Sequence, residues 1–193
     1  MADEVSLLHQ IRHFLSGYQA VRLFQDGAMP AAVLLLLYEK DGEPYILLTR
    51  RTDDVEHHKG ETSFPGGGVD PEDGDLLITA LRETEEEIGV QRQDIEVLGQ
   101  LDDIVTITDF VVSPFVAVLP SPSYPFALNS HEVAELVEVP LRHLMDERNL
   151  EQGVRQWRGR PLPILTYRYG DHCIWGATAR ILKGFFDHLA SGR

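Results

Sequence analysis

The chain has 193 residues, 43% hydrophobic and 25% charged, which fits one globular domain and excludes a disordered or fibrous protein. A formal net charge of -14 opposes sequence-independent binding to nucleic acid, so any anionic ligand must be small and met by cations at a defined place. The longest apolar run, residues 31 to 38, is far shorter than the roughly 20 residues of a membrane-spanning helix, and the N-terminus lacks the basic start of a secretory signal, so a cytoplasmic location is expected.

Leu7, Leu8, Ile11, Phe14 and Leu15 recur at helical spacing, predicting an amphipathic helix over residues 3 to 16. This helix and its lead-in, residues 1 to 28, precede a core over 29 to 193, and the whole reads as a single domain without internal repeats. Two apolar runs, 31 to 38 and 44 to 49, flank the turn residues Lys40, Asp41, Gly42 and Glu43 and predict a β-hairpin. Residues 50 to 75 are polar and glycine-rich. From Asp75 onward Leu76, Leu77, Ala80, Leu81, Thr84 and Ile88 form one helical stripe, with Gly89 placed as its C-terminal cap. Residues 94 to 101 and 110 to 119 read as strands joined by 102 to 109, and 120 to 125 as a loop. A short helix is expected over 141 to 145, a strand over 162 to 169, and a closing amphipathic helix over 177 to 190. Strands interspersed with few helices imply a mixed sheet with helices on its faces. Cys173, the single cysteine, rules out an intrachain disulfide and is expected as a small core residue.

Within the best-defined helix, Glu83, Glu86 and Glu87 are separated by steps of three and four, which puts their carboxylates on one face about a turn apart. Such clustering is unfavourable in an isolated helix, and the C-terminal helix dipole adds to the cost. A hard divalent cation such as Mg²⁺ or Mn²⁺ offsets it. Upstream, Ser63, Phe64, Pro65, Gly66, Gly67 and Gly68 form a glycine loop whose backbone can approach a ligand closely. Arg50, Arg51 and Lys59 supply local positive charge suited to substrate phosphates.

The glycine loop, a spacer, and the residues Arg82, Glu83, Glu86, Glu87, Gly89 and Val90 resemble the box of the Nudix hydrolases, which cleave a nucleoside diphosphate linked to another group. The usual pattern has a hydrophobic residue where Thr84 stands and a glutamate where Gly74 stands, so a one-residue insertion would pass that acidic role to Asp73, Asp70 or Glu72. The resemblance implies an α+β fold, a Nudix-like α/β/α sandwich with a central mixed β-sheet. It also implies that Glu83 and Glu87 are the principal Mg²⁺ or Mn²⁺ ligands with Glu86 beside them, and that Gly66, Gly67 and Gly68 lie against substrate. Arg82 is expected to orient a glutamate. Glu86 is the first candidate for general base, with Glu132 or Glu135 as alternatives.

Leu47, Leu48, Thr49, Arg50 and Arg51, followed by Gly60 and then Ser63, Phe64, Pro65, Gly66 and Gly67, resemble the additional motif of the coenzyme A pyrophosphatase branch of that family. In that branch a longer spacer carries an Asp-x-x-Asp element, as Asp70, Pro71, Glu72 and Asp73 do here. Glu138 to Leu141 and Ile174 to Arg180 also look like elements of the branch. Trp175 is expected to pack in the core, with lining of an adenine or pantetheine pocket as the alternative, and His57 and His58 to be solvated in a loop, with substrate contact as theirs. Thr52 replaces its usual small residue, and Glu56 stands where a basic residue is usual, which weakens attraction for the 3′-phosphate of coenzyme A. The resemblance implies hydrolysis of coenzyme A or its thioesters, with ADP-ribose, nucleoside diphosphate sugars or dinucleotides as the alternative substrates. It also implies a homodimer. The rival of another class is a Nudix-fold module that binds a nucleotide without cleaving it.

Overall fold

The computed structural model describes residues 6–52, 60–121, 123–157 and 159–191. Helix α1 (Leu7–Gly17) opens on Ser6, whose hydroxyl accepts the His9 N–H at 3.2 Å, and buries Ile11 and Leu15. Strands β1 (Met29–Lys40) and β2 (Glu43–Arg51) form the expected hairpin, paired antiparallel from Lys40 and Glu43 to Leu36 and Leu47. Its two turn residues, Asp41 and Gly42, have φ of 54° and 76°, the left-handed pair that matches the twist of the flanking strands.

The glycine loop is itself a strand pair: β3 (Thr62–Ser63) joins β2, and β4 (Gly66–Gly68) joins β1 at Ala31, Ala32 and Val33. On the other edge of β1, β7 (Phe110–Val118) runs parallel from Met29 to Leu37, which makes the sheet mixed. β5 (Glu96–Gln100) and β6 (Ile104–Val105) pair with β7, and β8 (Val133–Pro140) pairs with β2.

Helix α2 (Leu76–Ile88) packs on one face against Ala32, Leu34, Leu36, Tyr38 and Leu47. α1, α3 (Leu141–Met145) and α4 (Gly176–Ser191) pack on the other, over Leu35, Leu37, Ile46 and Leu48. Cover on both faces is why the core of β1 reads as an unbroken apolar run rather than an alternating one. The arrangement is the α/β/α sandwich with a mixed sheet that the sequence implies.

A second, three-stranded sheet was not expected as such: β9 (Leu150–Trp157), β10 (Arg160–Tyr169) and β11 (His172–Trp175). It also corrects the expectation for Cys173, which is exposed. Alternation along β11 turns Ile174 into the core and Cys173 outward, where its Sγ accepts from Arg168 Nη1 at 3.2 Å. Among the described residues no helix is long and apolar enough to cross a membrane.

Candidate active site

The geometry of the acidic face is set by how α2 begins and ends. Asp75 caps its N-terminus by accepting the Ile78 N–H at 2.9 Å, and Gly89 ends it in the left-handed region, φ 74°, donating its N–H to Glu85 O. Thr84, the residue at an ordinarily hydrophobic position, is fully buried because its hydroxyl donates to Ala80 O at 2.7 Å. With that stripe fixed on the sheet, the three glutamates meet different surroundings: side-chain exposure is 4% for Glu87, 17% for Glu83 and 56% for Glu86.

The glycines of β4 are required for separate reasons. Gly66 has φ 148°, and a Cβ there would lie 2.4 Å from Ala32 O. A Cβ on Gly67 would lie 2.6 Å from both Cδ and Oε1 of Glu83. Gly68 has open space at that position, and its carbonyl accepts from Arg82 Nη2 at 3.2 Å. Gly66 thus lets the loop lie on β1, and Gly67 leaves room for the Glu83 carboxylate.

Arg82 is the hub of the acidic face. Its Nε donates to Asp73 Oδ1 at 2.7 Å and Nη2 to Asp73 Oδ2 at 3.0 Å, while Nη1 donates to Glu83 Oε1 at 2.8 Å and Glu86 Oε2 at 3.0 Å. Asp73 also accepts from Thr79 Oγ1 at 2.7 Å and the Asp70 N–H at 2.8 Å. The Arg82 hydrogen bonds outweigh burial and hold the Asp73 carboxyl well below its ordinary value of 3.8. Of the three acids that could stand in for the displaced glutamate, the partner of Arg82 is therefore Asp73. Asp70 instead shapes the turn, accepting the Glu72 N–H at 3.0 Å.

Glu87 is the outlier. Burial pushes its carboxyl up to about 8; Arg51 opposes the shift, Glu83 and Glu132 add to it, and a backbone hydrogen bond from Gly66 opposes it. Its Oε2 is buried without a hydrogen-bond partner. Among the described residues the nearest cation, Arg51 Nη1, is 3.8 Å from Oε1, beyond hydrogen-bond reach. Glu83 is likewise raised, chiefly by burial, with Glu86 and Glu132 contributing. Glu132 thus acts on both carboxylates from the loop before β8, where its backbone carbonyl accepts the Thr52 N–H at 2.9 Å. Glu135 is turned away and accepts from Arg50 Nε at 2.5 Å. Among the described residues no three acidic, histidine or cysteine side chains converge as a preassembled cation cage; Arg82 draws Glu83 and Glu86 sideways.

The two arginines at the end of β2 serve opposite faces of the sheet. Arg51 approaches Glu87, whereas Arg50 lines a cavity of about 350 Å³ with Thr62, Arg155, His172 and Trp175. Trp175 is half-buried beneath the Arg155 guanidinium, 4.6 Å from its ring centroid, rather than enclosed in the core. Residues 53–59, with Glu56, His57, His58 and Lys59, lie outside the described residues.

Comparison with known proteins agrees with this geometry. The NUDIX domain model matches residues 28–162. The chain is 39% identical to the uncharacterized Nudix hydrolase NudL of Photorhabdus laumondii subsp. laumondii, over 81% of this chain and 83% of that protein. The NudL of Salmonella newport is 33% identical, over 90% and 91%. Among solved structures, the MutT protein from Methanosarcina mazei Go1 superimposes with a TM-score of 0.53 at 19% identity, covering 91% of this chain and 97% of that one, a likeness of fold. With the box glutamates on α2, the glycine strand beneath them and these matches along most of its length, the chain belongs to the Nudix family.

Proposed function

We propose that this chain hydrolyses the diphosphate bond of coenzyme A or its thioesters with Mg²⁺ or Mn²⁺, releasing 4′-phosphopantetheine and adenosine 3′,5′-bisphosphate. The observation that carries the chemistry is Glu87: a buried carboxylate with one oxygen lacking a hydrogen-bond partner, beside Glu83, whose own carboxylate lies against the bare Gly67 backbone. A hard divalent cation fits that donor set, and Glu83 and Glu87 would hold it with Glu86 close by. The chemistry supplied by a bound cation is charge neutralisation at the diphosphate oxygens and acidification of an attacking water.

The protein's own groups divide the remaining work. Asp73 fixes Arg82, and Arg82 aims Glu83 and Glu86. Arg51 donates to a phosphate oxygen. Glu132 accepts the proton of the attacking water, because it faces both Glu83 and Glu87 while Glu86 is occupied by Arg82 and Glu135 by Arg50. Support for coenzyme A comes from the residues Leu47 to Arg51, Gly60 and Phe64 to Gly67 and from the Asp70 to Asp73 element.

The test is a screen of coenzyme A, its thioesters, ADP-ribose, nucleoside diphosphate sugars and diadenosine polyphosphates with Mg²⁺ and Mn²⁺, with product identification. Cleavage of coenzyme A is expected, with turnover falling at least about a thousandfold in Glu87→Gln and about a hundredfold in Glu132→Gln. Cleavage of ADP-ribose alone would remove the substrate assignment and leave the reaction. Tight nucleotide binding without products would identify a binding module instead.

A further inference from the structure

Arg51 and Glu87 each keep a buried polar atom without a partner, Nε on one and Oε2 on the other. They are neighbours, yet their closest recorded approach is 3.8 Å, so neither relieves the other. Among the described residues Arg82 is matched with Asp73, Glu83 and Glu86, and Arg50 with Glu135, so none of these is spare to complete the pair. Leaving a buried donor and a buried acceptor unsatisfied side by side costs stability, and a native chain keeps such a pair where a third group completes it. The donor calls for an anion and the acceptor for a cation. A diphosphate oxygen already bearing a divalent cation satisfies both.

The backbone holds Arg51 in this place. The pairing of β2 with β8 shifts register between Arg50 and Arg51, a bulge that re-aims the second arginine. The Arg51 N–H donates to Glu61 O at 3.0 Å and the next N–H, of Thr52, to Glu132 O at 2.9 Å, so the residue is pinned from both sides. Each ligand alone meets opposition: a cation at Glu87 faces the Arg51 charge, and a phosphate at Arg51 faces Glu83, Glu87 and Glu132.

We propose that Arg51 couples the two ligands, donating from Nε to the phosphate oxygen whose cation sits on Glu87, so that the diphosphate and the cation each raise affinity for the other. This rests on the metal-dependent hydrolysis proposed above and adds to it the positioning residue that makes loading of the site concerted.

The experiment is calorimetric titration of Mg²⁺ with and without α,β-methylene-ADP, a non-hydrolysable diphosphate, corrected for complexation in solution, on wild type, Arg51→Met and Arg51→Lys. In wild type the nucleotide should tighten Mg²⁺ binding by about tenfold or more, and Mg²⁺ should tighten nucleotide binding by the same factor. In Arg51→Met the coupling should fall below about threefold, while Mg²⁺ alone binds as well or better. Arg51→Lys, which keeps the charge and lacks Nε, should match wild type for Mg²⁺ alone and lose the coupling. Coupling retained in either variant, or weaker binding of Mg²⁺ alone in Arg51→Met, overturns the proposal. Absence of Mg²⁺ binding in wild type removes it together with the proposed chemistry, whereas intact coupling with coenzyme A uncleaved removes only the substrate assignment.

Discussion

Alanine at each of the three glycines of β4 should produce three different defects. Gly66→Ala combines a left-handed φ with a Cβ overlapping the β1 backbone, and should cost roughly 3 kcal/mol or more in denaturant unfolding. Gly67→Ala should fold, but displace Glu83 and weaken Mg²⁺ binding by about tenfold or more. Gly68→Ala meets open space and should stay within about 0.5 kcal/mol of wild type. Glu87 gives a pH-dependent test. A carboxyl raised from 4.5 to about 8 on folding destabilises the metal-free protein progressively as pH climbs through that window, because the unfolded chain releases its proton first. Glu87→Gln, which mimics the neutral acid, should therefore match wild type near pH 4 and be more stable by roughly 2 kcal/mol at pH 9 in thermal melts with chelator. At this scale helical spacing singled out the glutamates and the family resemblance added Arg82, but Asp73, Asp70 and Glu72 stayed open as its partner. What separates them is a turn, in which Asp70 accepts a local N–H and Asp73 is brought within reach of Arg82 and Thr79. Glu132 stood only as an alternative base beside Glu86 and Glu135, since a loop residue becomes part of a helix's surroundings only through tertiary folding.

The C-terminal turn of α2 carries Glu86 and Glu87, so its cap bears on the site as much as on stability. A Cβ on Gly89 would lie 2.8 Å from Ala127 Cβ and 3.0 Å from Ala127 N, in addition to the left-handed strain. Gly89→Ala should cost roughly 2 kcal/mol, lowering the melting temperature by about 4 to 8 °C. The Ala127 and Asn129 N–H groups, which donate to Ile88 O and Glu87 O, would be pushed outward with a matching loss of turnover. Elements with a buried face were legible: the hairpin β1–β2 by its two apolar runs and turn residues, α2 and α4 by their helical periodicity. β9 was not, because residues 151 to 156 are all exposed and its strand form comes from pairing with β10. β11 is only four residues long, too short to establish a pattern. β8 does alternate, with Val133, Val137 and Val139 buried, and was obscured by its glutamates and by Pro140 at its end.

At the scale of the whole molecule, the N-terminal segment is tied to the core by carboxylates just after β5. Asp102 accepts from Tyr18 Oη and the Val21 N–H, each at 2.8 Å, and buried Asp103 accepts from the Leu23 N–H at 2.9 Å and Ser113 Oγ at 2.7 Å. With Ile11 and Leu15 inside the same apolar cluster as β1 and α4, we propose that α1 and the core unfold as one unit. Leu15→Ala should lower stability by roughly 3 kcal/mol, with helix circular dichroism and tryptophan fluorescence giving one coincident midpoint; two midpoints would separate the N-terminal segment from the core. The pairing of β4 with β1 has a last consequence. Leu34 donates to Pro65 O at 2.9 Å and Val69 to Pro30 O at 3.2 Å, so the glycine segment is laced to a strand that is paired on its other edge as well. Its hydrogen bonds to β1 should therefore break only in the deep openings that release β1 itself, and the deuterium uptake of Leu34 should be among the slowest in the chain with ligand or without. A floor that does not breathe leaves adaptation to side chains, and successive substrates meet the same backbone.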